Sequence, residues 1–497
     1  MIEEAIDYKI KYEELLVTVD ELSHQVIHLH ELEHELAQLK KLIFGSRSER
    51  FIPSASREQL ALDLNVASEF TLAHEKEVQK IEYNRVKPTV SENVPVRMKL
   101  PASLPREEVI LEPAEDTTGM NKIGDEITEE LERIPGKLFV RRYIRPKYAR
   151  ANGEGVVIAE LPVRVIDKGI PGPGLLSQIL IDKYVDHLPI YRQIQRFERE
   201  GMKLPSSTLT DWITSACDLL GPLYEALKEK VLSADYLQAD ETPIKVLDKD
   251  KKGSSHRGYH WVYHAPHQRL VLFDYREGRG REGPEEILKD FKGYLQTDGY
   301  AVYENFAKRD GITLLHCMAH ARRKFDEAAD NDKVRAEYAI AEIQKLYAVE
   351  RNIKDESLSE EQAADLRKTQ AVPVLTSLKE WMLENYKAVL PQSAIGQALH
   401  YSLQRWDKLM IYTTNGKLQI DNNLVENAIR PVALGRKNYL FAGSHNGARR
   451  AAMLYSFLGT CKINNVNPFD WMRDTLEKIP AHPVNQIDKL LPQNYKV

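Results

Sequence analysis

A chain of 497 residues has room for about three domains, and 42% hydrophobic with 29% charged residues is the composition of a globular protein with a sizeable core. The formal net charge of −5 excludes a surface that is basic throughout, so any contact with nucleic acid has to come from local clusters. Three cysteines far apart in the chain, Cys217, Cys317 and Cys461, exclude a disulfide framework, and no apolar run approaches the length of a membrane span; the chain reads as cytoplasmic.

In chain order, Leu15, Leu22, Leu29, Leu36 and Ile43 recur every seven residues with Val19 and Val26 between them, which predicts a coiled-coil helix over residues 1–50. Glu33 and Lys40 fall on the same seam and weaken its second half. Residues 51–95 are polar and aperiodic and read as a linker. Residues 96–160 form a small basic module. Within it, RIPGKLFVRRYIRPKYARANG (133–153) holds seven basic residues and no acidic one. A strand there would put Lys137, Phe139, Arg141, Tyr143 and Arg145 on one face, either a solvated surface or a ribbon suited to phosphates. Residues 161–232 read as a helical DNA-binding region: LPIYRQIQRFERE, a break at GMKLP, and SSTLTDWITSACDLL fit two helices, with Ser206 or Ser207 capping the second. Helical hairpins that touch no DNA have the same pattern.

The segment ADYLQADETPIKVL has the β-branched and apolar content of a buried strand, with Asp240 on the face of Tyr236 and Gln238 and Glu241 on the other. Its YLQAD recurs as YLQTD at Tyr294–Asp298. Between them come two strand-like runs and a short helical stretch, and a further helix and strand follow. If the first and fourth strands are parallel neighbours, Asp240 and Asp298 emerge side by side at one end of the sheet. With 74 acidic residues in the chain, two carboxylates are weak evidence of a site. A third comes from DNNLVENAIRP, where Asn423, Glu426, Asn427 and Arg430 share one helical face, although a capping cluster with Asp421 or Asn422 as cap would look alike. Between Glu426 and Asp470 the chain has six basic residues and no acidic one, a surface that favours phosphates.

LQADETP, LQTDGY, HCMAHARRKF, DNNLVENAIRP and GRKNYLFAGS closely resemble the transposases of the insertion sequence 66 family, of the DDE class. The resemblance runs from LIFGSRSERF to INNVNPFDWM. It implies an α/β ribonuclease-H-like catalytic core in two parts, 233–325 and 401–456, around a helical insertion at 326–400, with a C-terminal helical element at 457–497. It implies that Asp240, Asp298 and Glu426 are the catalytic acids and hold two Mg²⁺ ions, with Mn²⁺ as a substitute. Phosphodiester transfer suits such acids, since hard cations prefer carboxylate oxygens. Arg430, Arg436 and Lys437, with Arg141, Arg145 and Lys147 of the basic module, are the expected DNA contacts, and Asn423 and Asn427 support Glu426. Relatives carry paired cysteines for zinc near Pro113–Val156, whereas this chain has none there, so a structural zinc is not expected. His316, Cys317 and His320 fit a helix lining the cleft better than a metal site.

The resulting expectation is a DNA transposase that frees a 3′ end and joins it to target DNA, working at the nucleoid on element ends and target. Self-association through the coiled coil and small accessory proteins of the element are the further partners implied. A nuclease or resolvase on the same core, which hydrolyses without joining, and a catalytically silent DNA-binding scaffold are the alternatives. Deleting residues 1–44 should lower the assembly state in light scattering; an unchanged mass would contradict the heptad reading.

Overall fold

The computed structural model describes residues 100–496 apart from 101, 103, 116, 119–120, 135, 150–155, 168 and 248–253, so the expected coiled coil and linker lie outside the described residues. The first described unit is a small sheet of β1 (Arg106–Ile110), β2 (Asn121–Ile134), β3 (Lys137–Ala149) and β4 (Val156–Ile158). Strand β3 is central, parallel to β1 and antiparallel to β2 and β4. Its basic residues face an acidic partner strand, because the register sets Glu126 opposite Arg145 and Glu129 opposite Arg142. Arg142 meets Glu129 at 3.0 Å, and Glu126 takes both Arg145 at 2.6 Å and Lys147 at 3.0 Å. Cross-strand pairs of opposite charge stabilise a sheet of this kind.

Three helices follow: α1 (Pro173–Tyr184), α2 (Ile190–Arg199) and α3 (Ser206–Leu232). Helix α1 starts against β2, where the buried Glu132 carboxylate accepts the Leu175 N–H at 2.9 Å and meets the positive end of the helix dipole. The serine cap expected for α3 is not formed. Pro205 holds the N-cap position and Ser206 is already helical, its carbonyl accepting the Thr210 hydroxyl. The helix also runs through Pro222, because Leu220, Leu223, Leu227 and Val231 are all fully buried and that packing outweighs one missing N–H.

The large sheet comprises β5 (Tyr236–Leu247), β6 (Ser255–Ala265), β7 (Leu270–Arg276), β8 (Gly293–Thr297) and β9 (Ile312–His316), in the order β7-β6-β5-β8-β9. The first three strands form an antiparallel meander, and β8 and β9 run parallel to β5. The link from β7 to β8 carries α4 (Glu282–Ile287), and a 3₁₀ helix at Ala301–Lys308 links β8 to β9. Gly293 enters β8 at φ +136°, and a side chain there would collide with the Asp235 carbonyl.

After β9 the chain makes α5 (Met318–Glu327), α6 (Lys333–Asp355), α7 (Glu360–Leu366), α8 (Val372–Lys387), α9 (Ala394–Gln404) and α10 (Trp406–Met410). These helices share a core of their own, with Phe325, Leu346, Leu375, Leu399 and Trp406 buried together and joined by Tyr236 and Leu315 from the sheet. The buried Arg367 crosses this core, giving Glu350 two hydrogen bonds at 2.8 and 2.6 Å and another to the Tyr412 carbonyl. The chain then returns through α11 (Asn423–Tyr439), which lies on β5 and β6, α12 (His445–Ile463), which lies on β7, and α13 (Pro468–Lys478). Helix α12 is fixed by hydroxyls: Ser456 Oγ accepts the Phe273 N–H at 2.7 Å, and Thr460 Oγ1 accepts that of Val271 at 3.3 Å.

Burial keeps His264 of β6 neutral, its pKa pushed down from 6.5 to about 4, with Nδ1 lacking a partner. In the unfolded chain this imidazole protonates below about pH 6.5, so its share of stability is present above that pH and is lost as pH falls towards 4. Thermal melts across this window should show His264→Gln losing less stability than the wild type. Parallel curves would contradict the assignment.

Candidate active site

The repeated pentapeptide occupies two neighbouring parallel strands. Tyr236 pairs with Tyr294, Leu237 with Leu295 and Gln238 with Gln296, so each strand delivers its aspartate two residues beyond the last pair. Asp240 Oδ1 accepts its neighbour's N–H, from Glu241, at 2.7 Å. Asp298 Oδ1 accepts the Tyr300 N–H at 2.8 Å across a turn whose middle residue, Gly299, has φ +87°. A side chain at Gly299 would stand 2.5 Å from Arg405 Nε, so the turn needs both the positive φ and the missing Cβ.

The two glutamines place the third acid. Gln238 and Gln296 are fully buried; Gln238 Nε2 donates to Gln296 Oε1 at 3.1 Å and to the Asp421 carbonyl at 2.9 Å. Gln238 Oε1 accepts the Val425 N–H at 3.3 Å, and Gln296 Nε2 donates to the Gln419 carbonyl at 2.8 Å. Tyr236 completes the network, its hydroxyl giving 2.5 Å to Gln296 Oε1 and taking the Gln419 N–H. The loop before α11 and its first turn are thus tied to the strand ends, and Glu426 stands in that turn. From the other side, Cys317 Sγ accepts the Asn422 N–H, and the Met318 N–H bonds to the Ile420 carbonyl.

The charges of the other acids act on Asp240. Burial drives the Asp240 carboxyl well above the usual carboxylate range, and the charges of Glu241, Asp298 and Glu426 push it the same way. Glu426 Oε1 is buried without a hydrogen bond, 3.7 Å from His320 Nε2, and Oε2 lies 3.7 Å from Arg323 Nη2. Burial lowers the pKa of His320, leaving a neutral ring between Asp298 and Glu426. Among the described residues, no three His, Cys, Asp or Glu side chains stand close enough to hold a metal ion as placed. The chemistry of the donors nevertheless fits a divalent cation: several acidic oxygens face one another, and one is buried with nothing to satisfy it.

Residues 168–450 match the Transposase IS66 family, residues 456–493 the IS66 C-terminal element, and residues 31–109 Transposase C of IS166 homeodomain. The chain belongs to the IS66 transposase family. It is a polynucleotidyl transferase of the DDE class, a DNA transposase whose family works with magnesium. It is also similar to three uncharacterized proteins of Sinorhizobium fredii: y4jD at 32% identity over 98% of both chains, y4hP at 32% over 94% of this chain and 88% of that one, and y4qI at 33% over 93% and 88%.

Not every residue expected at the transposase site faces it. Asn423 is spent on Asp421, donating side-chain and backbone N–H groups to its carboxylate at 2.8 and 3.1 Å. Asn427, Arg430 and Lys437 are exposed on α11. Arg436 turns inward to the Pro243 carbonyl, and burial lowers its pKa. Arg141 lies 3.8 Å from the buried Glu132, Arg145 is itself buried and bonds the Ala159 carbonyl, and Lys147 shares Glu126 with it. Glu241 has a partner of its own. It is 6% exposed and held by Arg279 at 2.8 and 2.6 Å, and its pKa rises to about 7, chiefly by burial and then by the charge of Asp298. Asp240 and Glu241 both lie within β5, and adjacent residues of a strand are close enough for their charges to act on one another whichever face each side chain takes. The glutamine network and Arg323 were missed. The repeated Gln in YLQAD and YLQTD was the available signal for the first, and HARRKF carried no spacing that singles out Arg323.

The raised Asp240 pKa means that its ionisation opposes folding. Stability associated with this group is highest in acid and falls as pH rises through the folded pKa. Asp240→Asn should therefore melt at a higher temperature than wild type at alkaline pH, with the gap closing as pH falls. A variant no more stable than wild type at any pH would contradict the crowded-carboxylate reading.

Proposed function

We propose that the protein cleaves the 3′ ends of its insertion sequence and joins them to target DNA, with Asp240, Asp298 and Glu426 as the catalytic acids on a ribonuclease-H-like core. The observation that carries this reading is that Asp240 feels the charges of both Asp298 and Glu426, residues from β5, the end of β8 and α11. The strand order β7-β6-β5-β8-β9, an antiparallel meander followed by two parallel strands, supports the fold assignment. The helices between α5 and α11 are read as an insertion between the second and third acids.

Asp240 at the centre, with Asp298 and Glu426 on either side, would hold two Mg²⁺ ions. When bound, these supply Lewis acidity at the attacking and leaving oxygens and neutralise charge on phosphorus. The protein's own residues do the rest. The Tyr300 N–H and the glutamine-anchored loop fix the directions of Asp298 and Glu426. The neutral His320 lies against Glu426 without adding charge. Arg323 and the exposed Arg430 and Lys437 orient the phosphates, with Arg436, Arg141, Arg145 and Lys147 contributing through the surfaces they brace. Asn427 is free to meet DNA, and Asn423 steadies the turn that carries Glu426. Self-association through the N-terminal heptads would bring two element ends together. No helix among the described residues is long and apolar enough to cross a membrane.

Asp240→Asn, Asp298→Asn and Glu426→Gln should each abolish Mg²⁺-dependent cleavage and joining of element ends while DNA binding persists, since binding rests on Lys and Arg contacts to phosphates. Glu241→Gln keeps an acceptor for Arg279 and removes a charge that raises Asp240. It should stay active, with the acidic limb of its pH–rate profile moved to lower pH. Near-normal activity in any of the first three would break the assignment, and hydrolysis without joined product would favour a nuclease.

A further inference from the structure

A cavity of about 360 Å³ lies away from the carboxylates, where α1, α3, β5, β6 and the junction of α11 with α12 meet. That junction is built with care. Leu440 takes φ +62°, and the Ala442 N–H and carbonyl bond β5 at Lys245 and Leu247, which pins Gly443 and Ser444 beside the sheet. Ser444 caps α12, its Oγ accepting the Gly447 N–H at 3.1 Å. The N–H groups of His445 and Asn446 have no such partner among the described residues and lie at the positive end of a 19-residue helix. A side chain at Gly443 would meet nothing within 4 Å, so the backbone there is open to a ligand.

The side chains lining this cavity are those of an anion site. Lys183 and Arg450 both line it, and neither has a carboxylate partner among the described residues. No Asp or Glu lines it among those residues. His260, 1% exposed, lines it as well, and its Nδ1 has no hydrogen bond. Two cations with no carboxylate partner among the described residues, a buried ring nitrogen without a hydrogen bond there and a helix N-terminus together describe a place for a negatively charged oxygen group. Tyr184 and Tyr439 give the same cavity an aromatic wall suited to a sugar or base.

We propose that this cavity binds a backbone phosphate of the DNA strand, held between Lys183, Arg450 and the first turn of α12. The inference rests on DNA being the substrate. Helix α11 links the two places, with Glu426 near its start and Tyr439 at its end. That separation is about 20 Å at 1.5 Å per helical residue, which corresponds to about six nucleotides of stacked strand at 3.4 Å each. The subsite would hold the strand at a fixed distance from the acids and set which phosphate reaches them.

The test uses the full chain and a fluorescein-labelled duplex of arbitrary sequence, with anisotropy titrations over a range of salt. Lys183→Gln and Arg450→Gln should each bind more weakly, with a log–log salt slope shallower by up to about 0.9, the value of one phosphate contact. Arg450→Lys should keep most of the slope. Thermal melts report folding, and if Lys183→Gln is destabilised, Arg450→Gln carries the test. Variants that match the wild type in affinity and slope would overturn the subsite alone, whereas a wild type that binds no duplex would overturn the substrate assignment and the subsite with it. Inorganic phosphate that raises the melting temperature of wild type but not of Arg450→Gln, with an unchanged DNA slope, would assign the cavity to a free anion and overturn the DNA reading.

Discussion

Two buried glutamine amides, Gln238 and Gln296, determine where the third carboxylate stands. Each sits two residues before its strand's aspartate, and together they bond the carbonyls of Asp421 and Gln419 and the N–H of Val425. An amide suits this position because it donates and accepts at once, and buried backbone groups of a loop need both. A leucine at either position would fill the space and leave those groups unpaired in the interior, at roughly 1–3 kcal/mol for each. The repeat YLQAD and YLQTD thus does two jobs: it ends in aspartates on two neighbouring parallel strands, and its glutamines bond the loop and first helical turn that carry Glu426.

The same arrangement sets stability against function. The half-buried Asp240 and the buried Glu241 stand near Asp298 with pKa values raised, so ionising them costs folding free energy. Arg279 offsets part of the charge at Glu241, and its guanidinium lies 4.2 Å from the ring centre of Tyr300, the residue whose N–H holds Asp298. Local repulsion of this kind is a recurrent mark of sites that bind cations or substrates. The surrounding core, with Trp261, Tyr263 and Phe273 fully buried in the sheet, supplies the stability that tolerates it.

Much of the site could be read from the chain because it rests on local periodicity. Strand alternation with the repeated motif placed Asp240 and Asp298 together, and helical spacing put Glu426 on the face of Asn423 and Arg430. What could not be read depends on contacts distant in sequence. Arg436 looks like a surface cation until the Pro243 carbonyl takes it, and the basic strand β3 looks open until the glutamates of β2 meet it. The continuation of α3 past Pro222 follows from the buried faces of Leu223 and Leu227, which no local signal announces.

The central claim is that the glutamine network, rather than the acids alone, makes the site. Its most direct test is calorimetric titration of Mn²⁺ into Gln238→Leu and wild type at equal fold content by circular dichroism. Misplacing Glu426 should weaken metal binding by roughly tenfold or more, the usual effect of losing a residue that orients a ligand. Equal affinity in the two proteins would show that Glu426 reaches its place without the glutamines, and would contradict the account.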